Sequence, residues 1–371
     1  MKIALRSSLF VVLAALPAYL LGCAASPMRN STGVAGASGA AGASGVAGTS
    51  GTSGVAGAGG NANAALYPPP APPGGGIAQP SGTPGNLAVL NWAGFKAAVS
   101  YTFDDTNSSQ IQHYAELQAL GVRMTFYLIT SKTSDLNSPV WVQAMQDGHE
   151  LANHTRTHQM TGTAEDVDGG DMDLRQKFGI TVWTMASPYG NSSYVPLAAT
   201  RYLINRGVNG GQIGANDNTD PFNIFTYSPP QGAAAAAFNA EIDAVRTAGR
   251  WKTVLVHGFN GGSDGAYQPV AIEEFTASVE HAKSFGDVWI DSVVNVGAYW
   301  RAQKMFSAVT PTTSGATTTW TWTLPAHFPP GRVLRVKVDG GVLTQGGQPL
   351  AWDDHGYYEV ALAAGSLTLS P

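Results

Sequence analysis

From residue 88 onward, short apolar runs alternate with longer amphipathic stretches. This alternation constrains the fold most, because strands that alternate with helices along a chain build a parallel sheet covered by helices. The predicted strands are 97–103, 122–129, 182–186, 252–257 and 288–292, and the predicted helices are 140–147, 164–178, 238–248 and 272–285. We therefore predict an α/β domain over residues 88–306.

Beyond the α/β pattern the sequence becomes β-rich. Residues 319–324 and 332–338 have the period-two or β-branched character of half-buried strands. We predict a small antiparallel, β-sandwich-like domain over residues 310–371. Its tryptophans either form the core of this domain or stack on sugars, as they would in a surface adhesin. These tryptophans are Trp320, Trp322 and Trp352.

The charge pattern excludes one class of partner. The formal net charge is -5, and the chain contains no long run of lysine and arginine. A nucleic-acid surface needs clustered positive charge to neutralise phosphates, so we expect no nucleic-acid partner.

The N-terminus has the pattern of an export signal. Lys2 and Arg6 precede an apolar run over residues 9–21 that is too short to span a bilayer comfortably. We predict a signal peptide over residues 1–22. The sequence Leu20-Leu21-Gly22-Cys23 resembles the lipobox of bacterial lipoproteins. That resemblance implies an exported lipoprotein of the outer membrane or cell surface, held to the membrane through acylated Cys23; an ordinary signal peptide that contains a cysteine is the alternative.

A low-complexity segment follows Cys23. Glycine recurs at every third position from residue 33 to 57, but the stretch contains no proline to stabilise a collagen triple helix. We predict a flexible linker over residues 23–87, with a stiffer extended piece at the proline-rich residues 68–73.

Asp104 and Asp105 directly follow the first predicted strand. Such a pair can simply form a turn or cap a helix. In parallel α/β barrels, however, reactive residues collect at the carboxyl ends of strands. Two adjacent carboxylates there can divide the work, one binding a cation and the other accepting a proton.

Two histidines add nitrogen ligands to this interpretation. The four-residue spacing of His154 and His158 predicts two imidazoles on one face of a helical turn. Histidines in exposed turns are commonly structural. Together with a strand-end aspartate, however, they supply two nitrogens and one oxygen, and three protein ligands with a water are typical of a catalytic divalent metal site.

Four segments resemble motifs of the NodB-homology polysaccharide deacetylases, and they occur in the family's order. Thr102-Phe103-Asp104-Asp105 resembles the first motif, and His154-Thr155-Arg156-Thr157-His158 resembles the second. Ser187-Pro188-Tyr189-Gly190 is similar to the end of the third motif, and Leu255-Val256-His257 is similar to the fifth. The resemblance implies a distorted (β/α) barrel that deacetylates a carbohydrate.

The resemblance also implies a role for each matching residue. Zinc is the expected metal, although cobalt, nickel and iron suit similar ligands. The substrate would be an acetylated polysaccharide or oligosaccharide that carries N-acetyl groups on an amino sugar or O-acetyl groups. The implied roles are Asp105, His154 and His158 as metal ligands, Asp104 as general base, His257 as general acid, the backbone N–H of Tyr189 as oxyanion donor, and Asp217 or Asp220 as the partner of His257.

Two positions depart from the family pattern. Ala186 stands where the third motif normally has an arginine that pairs with the base, and Thr106 stands where the first motif normally continues with glycine. We predict that Arg206 approaches Asp104 and replaces the missing arginine. The alternative to an enzyme is a catalytically silent glycan-binding lipoprotein on the same fold.

Overall fold

The computed structural model describes residues 68–371. The predicted signal peptide, Cys23 and the glycine repeat lie outside these residues. None of the helices described in this range combines the length and the apolar composition that a membrane span requires.

The centre of the fold is a seven-stranded parallel sheet. Its strands are ordered β6-β5-β4-β3-β2-β7, and β8 also pairs with β2. Nearly every residue of these strands is buried, as expected for a parallel sheet that is covered on both faces. In chain order the strands of this part are β1 (Ala88–Val89), which belongs to another sheet, β2 (Ala97–Phe103), β3 (Thr125–Leu128), β4 (Glu150–Asn153), β5 (Thr184–Ala186), β6 (Ile204–Arg206), β7 (Trp251–Val256) and β8 (Val288–Ile290).

Helices connect these strands. The helix over 164–178 has the expected signals at both ends: the side chain of Thr163 accepts a hydrogen bond from the N–H of Asp166, and Gly179 ends the helix with a φ of 68°. The helices are α1 (Ser108–Gln112), α2 (Tyr114–Ala119), α3 (Thr133–Leu136), α4 (Val140–Gln146), α5 (Ala164–Phe178), α6 (Val195–Ala199), α7 (Ala235–Ala248), α8 (Ile272–Ser284) and α9 (Val293–Ser307).

Two antiparallel sheets follow the helices. One has the order β1-β11-β15-β14 and the other β13-β12-β16-β10-β9. Their strands are β9 (Thr312–Ser314), β10 (Thr317–Thr321), β11 (Val333–Lys337), β12 (Val342–Gln345), β13 (Gln348–Pro349), β14 (Trp352–Asp353), β15 (Tyr357–Ala361) and β16 (Ser366–Ser370). The predicted fold class, a distorted (β/α) barrel of the NodB-homology type with C-terminal antiparallel β structure, is confirmed.

The antiparallel sheets share an apolar core with the barrel. Trp322 and Leu334 belong to the same buried cluster as Trp251 and Trp300 of the barrel part. Trp322 is buried and Trp320 and Trp352 are half-buried, so all three tryptophans contribute to packing.

Part of the predicted flexible linker is held in place. The side chain of Arg335 donates hydrogen bonds to the carbonyl oxygens of Pro68 and Pro69, each at 2.8 Å. Further along, the N–H of Ile77 bonds to the carbonyl of Asp354 at 2.7 Å. The extended proline-rich chain leaves its carbonyls free for such donors, and the C-terminal sheets supply them.

Candidate active site

A cavity of about 560 Å³ opens at the carboxyl ends of the parallel strands. It brings together the six residues with principal predicted roles: Asp104, Asp105, His154, His158, Tyr189 and His257. The rest of its lining consists of Ser187, Val208, Ser228, Leu255, Tyr267 and Gln268. The barrel topology therefore gathers residues of all four motif segments, and of the loops that follow them, around one space.

Side chains after β2 fix the ends of β2 and β7 against each other. Asn107 and Gln110 both donate hydrogen bonds to the carbonyl of His257 at 2.7 Å. Gln110 also bonds to the carbonyl of Asp104. Because these amides join the two strand ends, the carboxylate after β2 and the imidazole after β7 are held at fixed positions.

The prediction of a helical turn for the two histidines is wrong. His154 and His158 lie in an irregular loop after β4, and Thr155 and His158 have φ values of 67° and 56°. Side chains stabilise this loop: Asn153 accepts from the N–H of Thr155, and Thr155 accepts from the N–H of His158. The imidazole centroids nevertheless lie 4.7 Å apart, so the loop achieves the proximity that the spacing predicted.

Asp105, His154 and His158 present three donor atoms to one point. Nε2 of His154 and of His158 lie 3.4 Å and 3.5 Å from Oδ1 of Asp105, and this oxygen is buried without a hydrogen-bond partner among residues 68–371. His154 donates from Nδ1 to the carbonyl of Ala186 at 2.9 Å, which leaves Nε2 as its free ligand atom. Two imidazole nitrogens and an unsatisfied carboxylate oxygen fit a divalent transition metal.

The charges of this cluster are strongly coupled. Burial raises the pKa of Asp105, but contact with His154 and the charges of the neighbouring histidines outweigh burial and lower it well below its usual range. Burial and the charge of His154 lower the pKa of His158 to about 4. Burial lowers the pKa of His154, but Asp104 and Asp105 outweigh burial and raise it. The two carboxylates thus favour a cation at this position.

Asp104 sits deeper than Asp105. Its Oδ2 accepts a hydrogen bond from Nη2 of Arg206 and lies 3.5 Å from Nε2 of His154. Its Oδ1 is buried and has no hydrogen-bond partner among the described residues. The approach of Arg206 to Asp104 that the sequence predicted is present, and one carboxylate oxygen remains free.

Backbone strain is concentrated around the cavity. Of the ten non-glycine residues with positive φ in the described chain, six lie in the loops that build this site: Asp105, Thr106, Thr155, His158, Tyr189 and Gln268. Such conformations are costly and recur at functional sites, so their clustering supports a functional cavity here. Tyr189, at a φ of 56°, turns its ring over His158 with the centroids 4.5 Å apart.

A sequence comparison assigns the domain that contains this site. The family model described as polysaccharide deacetylase matches residues 94–203, which include the first two motifs and the end of the third. This part of the chain is similar to the polysaccharide deacetylase family. The resemblance of the sequence motifs to that family is thereby confirmed.

One curated relative matches about a third of the chain. It is a gellan lyase from Bacillus sp., 31% identical over 136 residues, and the match covers 34% of this chain. The match spans only 5% of the length of that relative.

Solved deacetylase and esterase structures are similar to parts of this chain at low identity. The Xyl-CE4 domain of a multidomain xylanase from the hindgut metagenome of Trinervitermes trinervoides is 20% identical, with a TM-score of 0.38, and the match covers 54% of this chain and 88% of that one. An acetyl xylan esterase from Clostridium thermocellum in complex with cobalt is 17% identical, with a TM-score of 0.39, and the match covers 54% of this chain and 89% of that one. The catalytic domain of a peptidoglycan N-acetylglucosamine deacetylase from Eubacterium rectale is 14% identical, with a TM-score of 0.38, and the match covers 57% of this chain and 92% of that one. Values this low indicate no particular activity for this chain.

The structure does not bring Asp217 or Asp220 to His257. Asp217 accepts hydrogen bonds from the N–H groups of Gly214 and Thr219, and Asp220 accepts from Phe222. Both aspartates therefore cap turns, and the predicted partner role of Asp217 or Asp220 toward His257 is wrong. Within residues 68–371 no carboxylate forms an ion pair with the ring of His257, whose pKa is lowered by burial.

Other residues in and around this cavity gave no sequence signal. Asn107 and Gln110 are ordinary helix-start residues in the sequence, and their contacts are to a carbonyl about 150 positions away. Tyr267 lies in a turn-rich segment and contacts the ring of His257 at 5.3 Å between centroids. Only the folded chain shows that these residues belong to the site.

Proposed function

We propose that this protein is a metal-dependent hydrolase that removes acetyl groups from a carbohydrate. The observation that carries the proposal is the cavity in which two adjacent carboxylates, one of them buried, and three histidines meet. Asp105, His154 and His158 would hold one divalent ion, with zinc as the expected metal and cobalt, nickel or iron as alternatives. When bound, such an ion supplies Lewis acidity to an acetyl carbonyl and lowers the pKa of a water.

The protein's own residues would move the protons. Asp104 has one free buried oxygen, Oδ1, that can take a proton from the attacking water. His257 lines the same cavity and would give a proton to the leaving nitrogen or oxygen. The backbone N–H of Tyr189 would donate to the developing oxyanion, a contribution of about 3 kcal/mol in well-characterised hydrolases.

The rim of the cavity favours a sugar as the substrate. Tyr189 and Tyr267 line the cavity and are 56% and 61% exposed, although large aromatic side chains are usually covered. Aromatic faces left open beside polar groups are well suited to the apolar faces of pyranose rings. We propose an acetylated polysaccharide or oligosaccharide, with N-acetyl and O-acetyl substrates using the same reactive groups.

Acetate release tests this function directly. The purified protein should release acetate from at least one member of a panel of N-acetylated chito-oligosaccharides and O-acetylated xylans, lose this activity with a chelator, and regain it with zinc. His158→Ala should abolish both metal binding and turnover, since it removes one of three ligands. Glycan binding without acetate release from any substrate would instead support the silent glycan-binding alternative.

Localisation is a separate proposal that depends on the N-terminal sequence. We propose an exported lipoprotein anchored through Cys23, because the apolar run before it ends in a lipobox-like sequence. Replacing Cys23 with serine should move the protein from the membrane fraction to the soluble fraction. Retention of the variant in the membrane pellet would contradict lipidation at this cysteine.

A further inference from the structure

Ala186 stands where the third motif of the resembled family has an arginine, and the sheet register places it beside Arg206. Ala186 ends β5 and is the direct partner of Arg206, which ends the neighbouring parallel strand β6. Neighbouring strands are about 4.8 Å apart, and side chains that are in register point to the same face. A guanidinium that starts from position 206 can therefore enter the space that an arginine at 186 would use, because Ala186 fills little of it.

The contacts of Arg206 are unusual for a buried arginine. The residue is fully buried, its Nη2 bonds to Oδ2 of Asp104, and its Nη1 bonds to the carbonyl of Gly207 at 2.9 Å. Its guanidinium lies 5.3 Å from the ring centroid of Tyr127, and its Nε has no hydrogen-bond partner among residues 68–371. Burying a charged guanidinium with an unpaired N–H costs free energy of folding. A functional role for Arg206 would explain why this cost is tolerated.

We propose that Arg206 is the positioning residue of the general base, moved by one strand from its usual place. This inference rests on the proposed function, in which Asp104 takes the proton from water. By binding Oδ2, Arg206 fixes the carboxylate and leaves Oδ1 as the oxygen that can accept the proton. Positioning partners of this kind are worth about 10- to 100-fold in activity.

Single substitutions test the role of the guanidinium. Arg206→Ala should lower kcat about 10- to 100-fold while KM changes little, because the partner acts on the base rather than on substrate binding. Metal content should stay near one ion per chain, since the three ligands are untouched. Arg206→Lys keeps a buried positive charge with fewer donors, and it should lose less kcat than Arg206→Ala while retaining the fold.

Relocation is the sharper test. The double variant Ala186→Arg with Arg206→Ala returns the guanidinium to the neighbouring strand, and it should recover about ten-fold of the lost kcat if position relative to Asp104 is what matters. A crystal structure of the double variant should show the new guanidinium against Oδ2 of Asp104. In the Arg206→Ala structure, the carboxylate of Asp104 should adopt another rotamer.

Arg335→Ala is the matched control, because Arg335 is also a buried arginine paired with a carboxylate but lies in the C-terminal sheets. The inference is overturned if Arg206→Ala keeps the wild-type kcat. If the alanine variant does not fold, the same criterion applies to Arg206→Lys. A loss confined to KM, a loss of the metal, or an equal loss of kcat in Arg335→Ala also overturns it. A wild-type protein that releases no acetate from any substrate refutes the proposed function instead, and the rotamer of Asp104 still tests the positioning.

Discussion

The barrel and the C-terminal sheets each contain a buried arginine, and the two regions satisfy it differently. Arg335 donates hydrogen bonds to the carbonyls of Pro68, Pro69 and Ala93 and pairs with Glu359, which is 41% exposed. Arg206 bonds to one carboxylate and one carbonyl, and its Nε has no partner within the described chain.

This difference distinguishes a structural cross-link from a functional contact. Arg335 joins three chain segments through backbone groups that would otherwise lack donors, and its ring contact with Tyr357, at 4.1 Å, covers the guanidinium. The site at the strand ends instead retains unsatisfied carboxylate oxygens and strained backbone. Such features lower stability and are retained where they serve chemistry.

The largest expected effect separates the two adjacent aspartates of the site. If the proposed roles hold, Asp104→Asn should keep the metal and lose about 100- to 10,000-fold in turnover, since the proposed general base is removed. Asp105→Asn should lose metal as well as turnover, because its oxygen is the only carboxylate donor of the ligand set. Elemental analysis with acetate-release kinetics measures both. Equal metal content and retained activity in the two variants would refute the assignment of this pair.

The C-terminal region should respond in the opposite way. Arg335→Ala should lower the free energy of unfolding by about 2–4 kcal/mol, because buried carbonyls lose their donors, with kcat per folded molecule unchanged. Urea unfolding of wild type and variant gives this difference. Glu359→Gln is the control, since the side chain of Glu359 is 41% exposed and the amide of the glutamine can still accept from the guanidinium, so this change should cost only about 0–1 kcal/mol. If Glu359→Gln were as destabilised as Arg335→Ala, the stabilising free energy would come from the ion pair rather than from the hydrogen bonds to the carbonyls.

The fold was predictable where burial follows local pattern. The strand 97–103 and the helix 164–178 have the predicted bounds because their apolar residues repeat with the period of the element. The strands β4 and β6 were missed, since they are short and include the polar residues Glu150, Asn205 and Arg206. The buried carboxylate of Glu150 is satisfied by a partner that the local pattern does not reveal: Thr184 donates to it at 2.6 Å.

The site was predictable in composition but not in conformation. Motif order identified the residues around the cavity, whereas the loop of His154 and His158 depends on side chains that hold its backbone in positive φ. The turn-capping role of Asp217 depends on backbone N–H groups that no spacing reveals. Helix α9 was missed because it is buried on most sides and lacks an amphipathic period.

A smaller effect concerns substrate binding at the rim. Tyr267→Ala should raise KM for a glycan by up to about ten-fold, the equivalent of 0.5–1.5 kcal/mol for one aromatic contact, with kcat little changed. Met160→Ala is the control: Met160 is 59% exposed but does not line the cavity. A fall in kcat at constant KM would show that Tyr267 acts by holding the ring of His257 instead.

The smallest effect concerns Thr106, at the position where the family normally has glycine. Thr106 has a φ of 55°, a conformation that costs a side chain about 1–2 kcal/mol and explains the usual glycine. Its hydroxyl offsets this cost, since it accepts from the N–H of Ile129 at 2.7 Å and donates to the carbonyl of the same residue. Thr106→Ala should therefore destabilise the protein by about 1–3 kcal/mol, because the strain remains and a buried N–H loses its acceptor.

The matched variants at this position separate strain from hydrogen bonding. Thr106→Ser keeps the hydroxyl and should unfold at nearly the wild-type urea concentration. Thr106→Gly loses the hydrogen bonds but relieves the strain, so it should be about 1 kcal/mol more stable than Thr106→Ala. A glycine variant less stable than the alanine variant would mean that the added freedom of the unfolded chain outweighs the relief of strain. A serine variant as unstable as alanine would assign the effect to packing of the threonine methyl group rather than to the hydroxyl.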